Sequence, residues 1–192
     1  MSPKNHDQTA NHLDQYRDYL ALLGRLQLEP VLQAKVDVSG VVQSTMLEAC
    51  ESGWGSLKDH DKLPWLRRIF SNNLLDEIRK FRTEARDVRR ERPLSHRIDQ
   101  SASRLQVWIE SNGPSPSEMA VRAEDELTLA KTLATLPDPQ SEAIELHHLR
   151  GLPLEEVGRR MQRTKGAVAA LIFRGTARLR QIMQPNQGEP NE

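Results

Sequence analysis

The side chains of this 192-residue chain that could do chemistry are aromatic, amide and basic groups suited to holding nucleic acid. An aromatic ring offers a stacking face to an unpaired base, arginines follow phosphates, and an amide reads a base edge. On one continuous helix such groups would share the face opposite the apolar one; they are Trp65, Arg68, Asn72, Asp76 and Arg79. This stripe predicts a contact with single-stranded DNA. The alternative is that Trp65 only covers the helix start and that the charges are solvated.

A second basic surface is predicted near the C-terminus. Helices over Leu154–Met161 and Lys165–Met183, with a short turn between them and Thr164 as a cap, have helix-turn-helix spacing. One side of the last helix should pack on the two preceding helices through Val168, Leu171, Ile172, Leu179 and Ile182. The other side carries Lys165, Phe173, Arg174 and Arg178, which suit a DNA groove. Two alternatives stay open: Phe173 closes the edge of the domain, or the unit is a three-helix bundle without DNA function.

Charge is distributed unevenly along the chain, although the formal net charge is zero. Residues 62–92 carry ten Lys or Arg against five Asp or Glu, and residues 150–183 carry eight against two. Residues 97–147, between these blocks, carry four against nine. Two basic blocks with an acidic connector favour two nucleic-acid contacts over one. The alternative is three solvated surfaces of arbitrary sign.

No arrangement of side chains in the sequence favours catalysis or a bound metal. His147 and His148 are adjacent, so on a helix they diverge by about 100° and cannot easily share a metal. Cys50 is the only cysteine, which excludes an intramolecular disulfide. Neither a phosphate-cradling glycine loop nor a nucleophile–base pair is visible. We therefore expect a protein that is not an enzyme and that has no cofactor and no metal.

Composition indicates a protein without a membrane span. The chain is 37% apolar and 28% charged, and it has no run of about 18 apolar residues. Its first twelve residues are polar and lack the apolar core of a signal peptide. The single cysteine fits a reducing compartment. We therefore expect a cytoplasmic protein with no membrane insertion.

Helical periodicity accounts for the apolar residues throughout, which predicts an all-α fold. A first helix covers the leucine-rich segment 13–26, and a second covers residues 38–50, starting near Ser39 and ending at Gly53. A polar loop over residues 53–63 then leads to Pro64 in the first turn of a third helix. The buried stripe of that helix is expected to be Leu66, Ile69, Phe70, Leu74, Ile78 and Phe81.

Two small helical domains joined by a linker are predicted. Residues 1–11 are a flexible tail, 12–92 a first domain, 93–127 a linker, 128–184 a second domain and 185–192 a second tail. Pro93 stops the basic run, and the segment SNGPSPS at 111–117 breaks any helix. Inside the linker we expect only short helical pieces around residues 105–109, followed by a short helix around residues 124–133. Further on, Asp138 can cap a helix that leaves through Gly151.

Three stretches, in this order, resemble the sigma-70 family of RNA polymerase initiation factors. Residues 37–49, DVSGVVQSTMLEA, are similar to the segment that grips core RNA polymerase. Residues 64–82, PWLRRIFSNNLLDEIRKFR, are similar to the helix that melts and reads the −10 promoter element, and residues 136–180 to the domain that reads the −35 element. The order and the acidic linker resemble the compact extracytoplasmic-function (ECF) subfamily. The segments AKVDVSGVVQSTMLEA and ARDVRRERPL are similar to planctomycete members.

The resemblance implies roles for particular residues in a first domain of sigma domain 2 type and a second of sigma domain 4 type. At the −10 element it implies that residues 53–63 capture a flipped-out base and that the DNA is lined by Trp65, Arg68, Asn72, Arg79 and Lys80. At the −35 element it implies Thr164, Lys165, Phe173, Arg174 and Arg178. On the β′ clamp helices of core polymerase it implies Asp37, Val41, Val42, Gln43, Met46, Leu47 and Glu48.

The chain departs from the family pattern in the C-terminal motif. Gln162 stands where glycine is common in the turn, and Ala169 and Ala170 replace polar groups that often contact the −35 element. We therefore expect Phe173 and Arg174 to carry more of the base readout.

The predicted function is that of an ECF-type sigma factor, which binds core RNA polymerase, recognises −10 and −35 elements and melts the −10 region. The implied partners are core polymerase, through its β′ clamp helices and β flap, and promoter DNA, with an anti-sigma factor as a candidate regulator. Two alternatives stay open. One is a helix-turn-helix regulator that acts without docking on polymerase, and the other is a sigma mimic that sequesters an anti-sigma factor.

Overall fold

A computed structural model describes residues 13–81, 93–112 and 119–183. Every regular element in these ranges is a helix, which confirms the all-α prediction. In chain order the helices are α1 (Arg17–Gln27), α2 (Pro30–Gln33), α3 (Val38–Glu51), a 3₁₀ turn (Trp54–Ser56), α4 (Asp59–Phe81), α5 (Leu94–Asn112), α6 (Met119–Thr135), α7 (Asp138–Ile144) with a π-helical continuation (Glu145–Leu149), α8 (Leu154–Met161) and α9 (Lys165–Met183). None of the described helices is long and apolar enough to cross a membrane.

The chain forms two compact units, Met1–Ala102 and Ser103–Glu192. The division falls inside α5, within the segment that the sequence analysis assigned to a linker. Helix α5 is far longer than the short pieces expected there, because Ile98, Ala102, Leu105 and Ile109 recur every three or four residues and are all buried. The proposed domain boundaries themselves stay a prediction.

The core of the N-terminal unit is built where α1, α3 and α4 meet. Helix α1 contributes buried Leu20 and Leu23, and α4 contributes buried Phe70. A Cβ at Gly24 would lie 2.8 Å from Val38 Cγ1 and 3.0 Å from Phe70 Cζ, so only glycine lets α1 approach the other two helices this closely. This packing holds α4, with its polar stripe, in a defined position.

The starts of α3 and α4 differ from the sequence-based expectation, and α7 begins at Asp138 itself, with Pro137 rather than Asp138 at the cap position. Helix α3 begins at Val38, and Asp37 rather than Ser39 caps it by accepting a hydrogen bond from Gly40 N at 3.0 Å. Helix α4 begins at Asp59, five residues before Pro64. Acidic groups in the first turn of α4 complement the helix dipole, and Pro64, in the second turn, removes only one backbone hydrogen bond.

The C-terminal unit packs α7, α8 and α9 around a small apolar core. Its centre is formed by Ala143, Leu146, Val157, Val168 and Leu171. The α7 helix widens into a π-turn, in which Arg150 N donates to Glu145 O at 2.9 Å, and the chain leaves through Gly151 with a φ of 72°. That exit matches the predicted glycine. The Arg104 guanidinium stabilises it by donating to the carbonyl of Arg150 at 2.6 Å.

Candidate nucleic-acid interface

Local hydrogen bonds and one left-handed residue stabilise the turn between α8 and α9. Gln162 adopts the left-handed conformation, with φ 53° and ψ 43°, at the end of α8. Arg163 N then donates to Gly158 O at 2.9 Å, and a Cβ at Gly158 would lie only 2.7 Å from Arg163 O. At the start of α9, Thr164 Oγ1 accepts a hydrogen bond from Ala167 N at 3.2 Å, which confirms the predicted cap.

Helix α9 separates a buried face from an exposed one. Val168, Leu171 and Leu179 are buried, as predicted, whereas Ile182 is 50% exposed. The prediction that Ile182 packs on the preceding helices is wrong, because it lies in the last turn of α9, beyond Leu179, the last fully covered residue of the helix.

The predicted −35 residues lie on the exposed side of α9. The ring of Phe173 is 76% exposed, so it is not an edge piece of the core. Phe173, Arg174 and Arg178 line one shallow surface together with Ala177, Gln181 and Ile182. Ala169 is also exposed and presents only a methyl group. The exposed side therefore combines one large apolar ring with two guanidinium groups.

Lys165, the first residue of α9, differs from these arginines because it forms an ion pair with an acidic residue of α8. Its Nζ lies 2.5 Å from Glu155 Oε1, and both side chains are 61% exposed. The hydrogen bond from Lys165 lowers the pKa of the Glu155 carboxyl group. The sequence analysis missed this pair, because the two residues are ten positions apart and lie on different helices.

The predicted −10 residues of α4 are exposed only in part, and some of them are ion-paired. Arg68 and Asn72 are exposed. Arg79 is exposed but ion-paired with Asp76 at 3.0 Å. Lys80 is ion-paired with Glu77 at 2.5 Å. Both cations are exposed to solvent, and each pairs with an acidic residue three positions earlier on the same helix.

Trp65 is half-buried, since it belongs to an aromatic cluster. Its ring centroid lies 6.1 Å from that of Trp54, with the planes tilted by 44°. Trp54 is only 3% exposed and meets the Tyr16 ring edge-to-face at 5.1 Å. Lys62 Nζ lies 5.5 Å from the centroid of the Trp54 ring. Trp54 therefore supports the ring of Trp65. From the sequence, Trp54 was expected in a polar loop. A large aromatic residue between two glycines was the feature that could have indicated its role.

The loop expected over residues 53–63 is shorter in the structure. Gly53, with φ 87°, ends α3, and the 3₁₀ turn Trp54–Ser56 follows directly. Residues from Asp59 onward are already helical. Only a short segment before α4 is therefore left to act as a base-capturing loop.

The residues expected to dock on polymerase divide into two groups. Val41, Val42 and Met46 are buried, because this side of α3 packs on α1 and α4. Their assignment as surface contacts is therefore corrected: they set the position of α3 from inside the core. The members exposed on α3 or at its cap are Asp37, Gln43, Leu47 and Glu48, of which Leu47 is 60% exposed.

The two adjacent histidines meet in the π-turn. Their ring centroids are 4.8 Å apart, and the rings meet edge-to-face. His147 Nδ1 lies 2.8 Å from Leu152 O, so this nitrogen carries the proton. Burial and the neighbouring His147 lower the pKa of His148. In the described ranges no cluster of three potential metal ligands occurs.

Comparison with known proteins finds similarity both to the C-terminal unit and to most of the chain. Residues 132–181, which include α7, α8 and most of α9, match the family model "Sigma-70, region 4". The chain is 28% identical over 179 residues to the "ECF RNA polymerase sigma factor SigF" of Caulobacter vibrioides, covering 90% of this chain and 88% of that protein. It is also 28% identical over 118 residues to the "Probable RNA polymerase sigma factor RfaY" of Xanthomonas campestris pv. campestris.

The chain is thus similar to ECF sigma factors over most of its length and to sigma-70 region 4 in its C-terminal unit.

The region 4 match confirms the interpretation of α8 and α9 as a DNA-binding helix-turn-helix. Sigma-70 proteins are transcription initiation factors without enzymatic activity of their own, which agrees with the expectation of a non-enzyme. The match to the Xanthomonas protein covers 62% of this chain and 27% of that relative, so the chain spans about a quarter of the relative's length. The similarity to planctomycete members stays a prediction.

Proposed function

We propose that this sigma factor binds core RNA polymerase and directs it to promoters through two DNA contacts, one in each unit. The observation that carries the proposal is the exposed face of α9, where Phe173, Arg174 and Arg178 stand on a capped helix-turn-helix within the region 4 match. A recognition helix of this kind enters the major groove of duplex DNA.

At the −35 element, Thr164 and Lys165 lie at the N-terminus of α9, and Phe173, Arg174 and Arg178 follow along it. Arginine donates two hydrogen bonds to a guanine or grips a phosphate, and an apolar ring contacts thymine methyl groups or sugars. Since Ala169 is exposed and has no polar atom in its side chain, Phe173 and Arg174 carry the base readout.

At the −10 element, Arg68 and Asn72 offer exposed polar groups beside the half-buried ring of Trp65. Arg79 and Lys80 continue along the same helix, toward its C-terminal end. Unpaired bases bound here would be withdrawn from the duplex, so the binding free energy shifts the population toward melted DNA.

Polymerase binding is assigned to the exposed residues of α3 and its cap. Leu47 supplies an apolar contact, while Asp37, Gln43 and Glu48 supply polar ones, and the β′ clamp helices are the proposed partner. The β flap is the proposed partner of the C-terminal unit. An anti-sigma factor that covers either surface would act as a regulator.

The central experiment is run-off transcription with core polymerase on a randomised promoter library, preceded by a pull-down of core polymerase. We expect the chain to retain polymerase and to select templates with a −35 and a −10 motif. Loss of polymerase binding would favour a helix-turn-helix regulator that acts alone. Polymerase binding without run-off product would favour a sigma mimic.

Two substitutions test the residues within this assay. Asn72→Ala should lower permanganate reactivity of −10 thymines while polymerase affinity holds, and exposed Gln100 on α5 provides a matched amide control. Arg174→Ala should relax selection at one −35 position, with the exposed, Glu156-paired Arg159 on α8 as the matched arginine control. Unchanged −10 reactivity in Asn72→Ala would refute its assignment.

A further inference from the structure

We propose that Glu155 sets the strength of the −35 contact by competing with DNA phosphate for Lys165. This inference rests on the proposed function of α9 and adds a residue of α8 that weakens DNA binding. Glu155 is placed to act in this way because its carboxylate holds the ammonium group of Lys165 at 2.5 Å across the helix-turn-helix.

The pairing is specific to Glu155 and is not a general property of the acidic start of α8. The neighbouring Glu156 pairs within its own helix, with Arg159 and, at 3.1 Å, with Arg160. Among the proposed −35 residues in the described part of the chain, Lys165 forms an ion pair that joins α9 to another helix. Glu155 and Glu156 are adjacent and carry the same charge, but only Glu155 reaches the DNA-binding helix.

The chemistry of the pair makes it displaceable. Both side chains are 61% exposed, and ion pairs of this kind contribute little to stability in water. When Lys165 takes a phosphate oxygen, it must leave the carboxylate or share its protons with it. In either arrangement, part of the binding free energy of the Lys165–phosphate contact is lost to the pair with Glu155.

Two consequences follow for DNA binding. Removing the carboxylate charge should raise affinity about threefold, because Lys165 then binds phosphate without giving up an exposed ion pair of the usual strength. It should also make Lys165 fully available for counterion release, which steepens the dependence of log K on log salt by about one. Both effects are independent of base sequence, so Glu155 lowers non-specific binding and leaves discrimination to Phe173 and Arg174.

The test uses holoenzyme assembled from core polymerase and the full chain, titrated against labelled duplexes that carry either a selected or a scrambled −35 element. Glu155→Gln should tighten binding to both duplexes about threefold and steepen the dependence of log K on log salt. The ratio of the affinities for the selected and the scrambled duplex should stay the same. In a Lys165→Gln background, Glu155→Gln should change neither affinity nor slope. Glu156→Gln, which removes the same charge one residue away, should leave both quantities unchanged.

Several outcomes would overturn the inference. Unchanged or weaker binding by Glu155→Gln contradicts it directly. An effect that persists without Lys165 would show that Glu155 acts on DNA by itself, and an equal effect of Glu156→Gln would show a general charge effect. Arg174→Ala separates this inference from the proposed function: if that variant binds as well as the unchanged protein, the assignment of α9 to the −35 element fails, and this inference fails with it. If Arg174→Ala weakens binding but Glu155→Gln does not tighten it, only the inference about Glu155 fails.

Discussion

Replacing Gly158 with alanine should destabilise the C-terminal unit, against the usual trend for helices. A glycine inside a helix normally costs about 1 kcal/mol relative to alanine. Here the new Cβ would lie 2.7 Å from the carbonyl oxygen of Arg163, a distance that real Cβ atoms essentially never show. That oxygen belongs to the backbone, so it cannot rotate away, and the turn is already held by Arg163 N donating to Gly158 O at 2.9 Å.

The magnitude follows from two opposing effects. Overpacking that forces backbone shifts typically costs about 1–3 kcal/mol. The higher helix propensity of alanine offsets up to about 1 kcal/mol of that cost. We expect Gly158→Ala to lose about 1–2 kcal/mol of the free energy of unfolding of this unit. Gly166→Ala is the matched control, because no atom lies within 4 Å of a Cβ placed there. This control should be neutral or gain up to about 1 kcal/mol.

Native-state hydrogen exchange provides a readout local to this unit. The amides of Val168 and Leu171, two core residues of α9, should exchange faster in Gly158→Ala and no faster in Gly166→Ala. If the two variants protect these amides equally, the close approach of α8 to the turn does not limit the fold, and the reasoning is refuted.

Two further predictions concern the same unit. Gln162→Gly should raise its free energy of unfolding by up to about 1 kcal/mol, because a non-glycine residue in the left-handed conformation is strained and glycine is not; a lower thermal midpoint would contradict this. The lowered pKa of His148 means that the unfolded chain takes up a proton before the folded unit does, so stability should fall as pH drops below the ordinary histidine pKa of 6.5. His148→Gln should flatten that fall in urea unfolding measured from about pH 7.5 to about pH 5.5, and an unaltered pH profile would exclude His148 as the cause.

Periodicity and the cap or exit residues at several helix ends were predictable from sequence because both are local. Apolar residues three and four positions apart identify a helix whatever it packs against, and Thr164, Gly53 and Gly151 act on backbone groups a few residues away. The helix-turn-helix was therefore recognisable, as were the exposed Phe173 and Arg174. The length of α5 was not predicted, because turn-forming residues flank it. Its apolar residues are recognisable as one buried face only in the folded structure.

The sequence by itself determined the all-α class, the two basic blocks and the resemblance to sigma factors. The tertiary structure decided which side of each helix is covered. It placed Val42 in the core while leaving Leu47 on the surface of α3, and it brought Trp54 under Trp65. It also joined Glu155 to Lys165. The physical reason is that burial and long-range pairing depend on which residues of another helix lie nearby. The spacing of residues along one helix does not identify those neighbours.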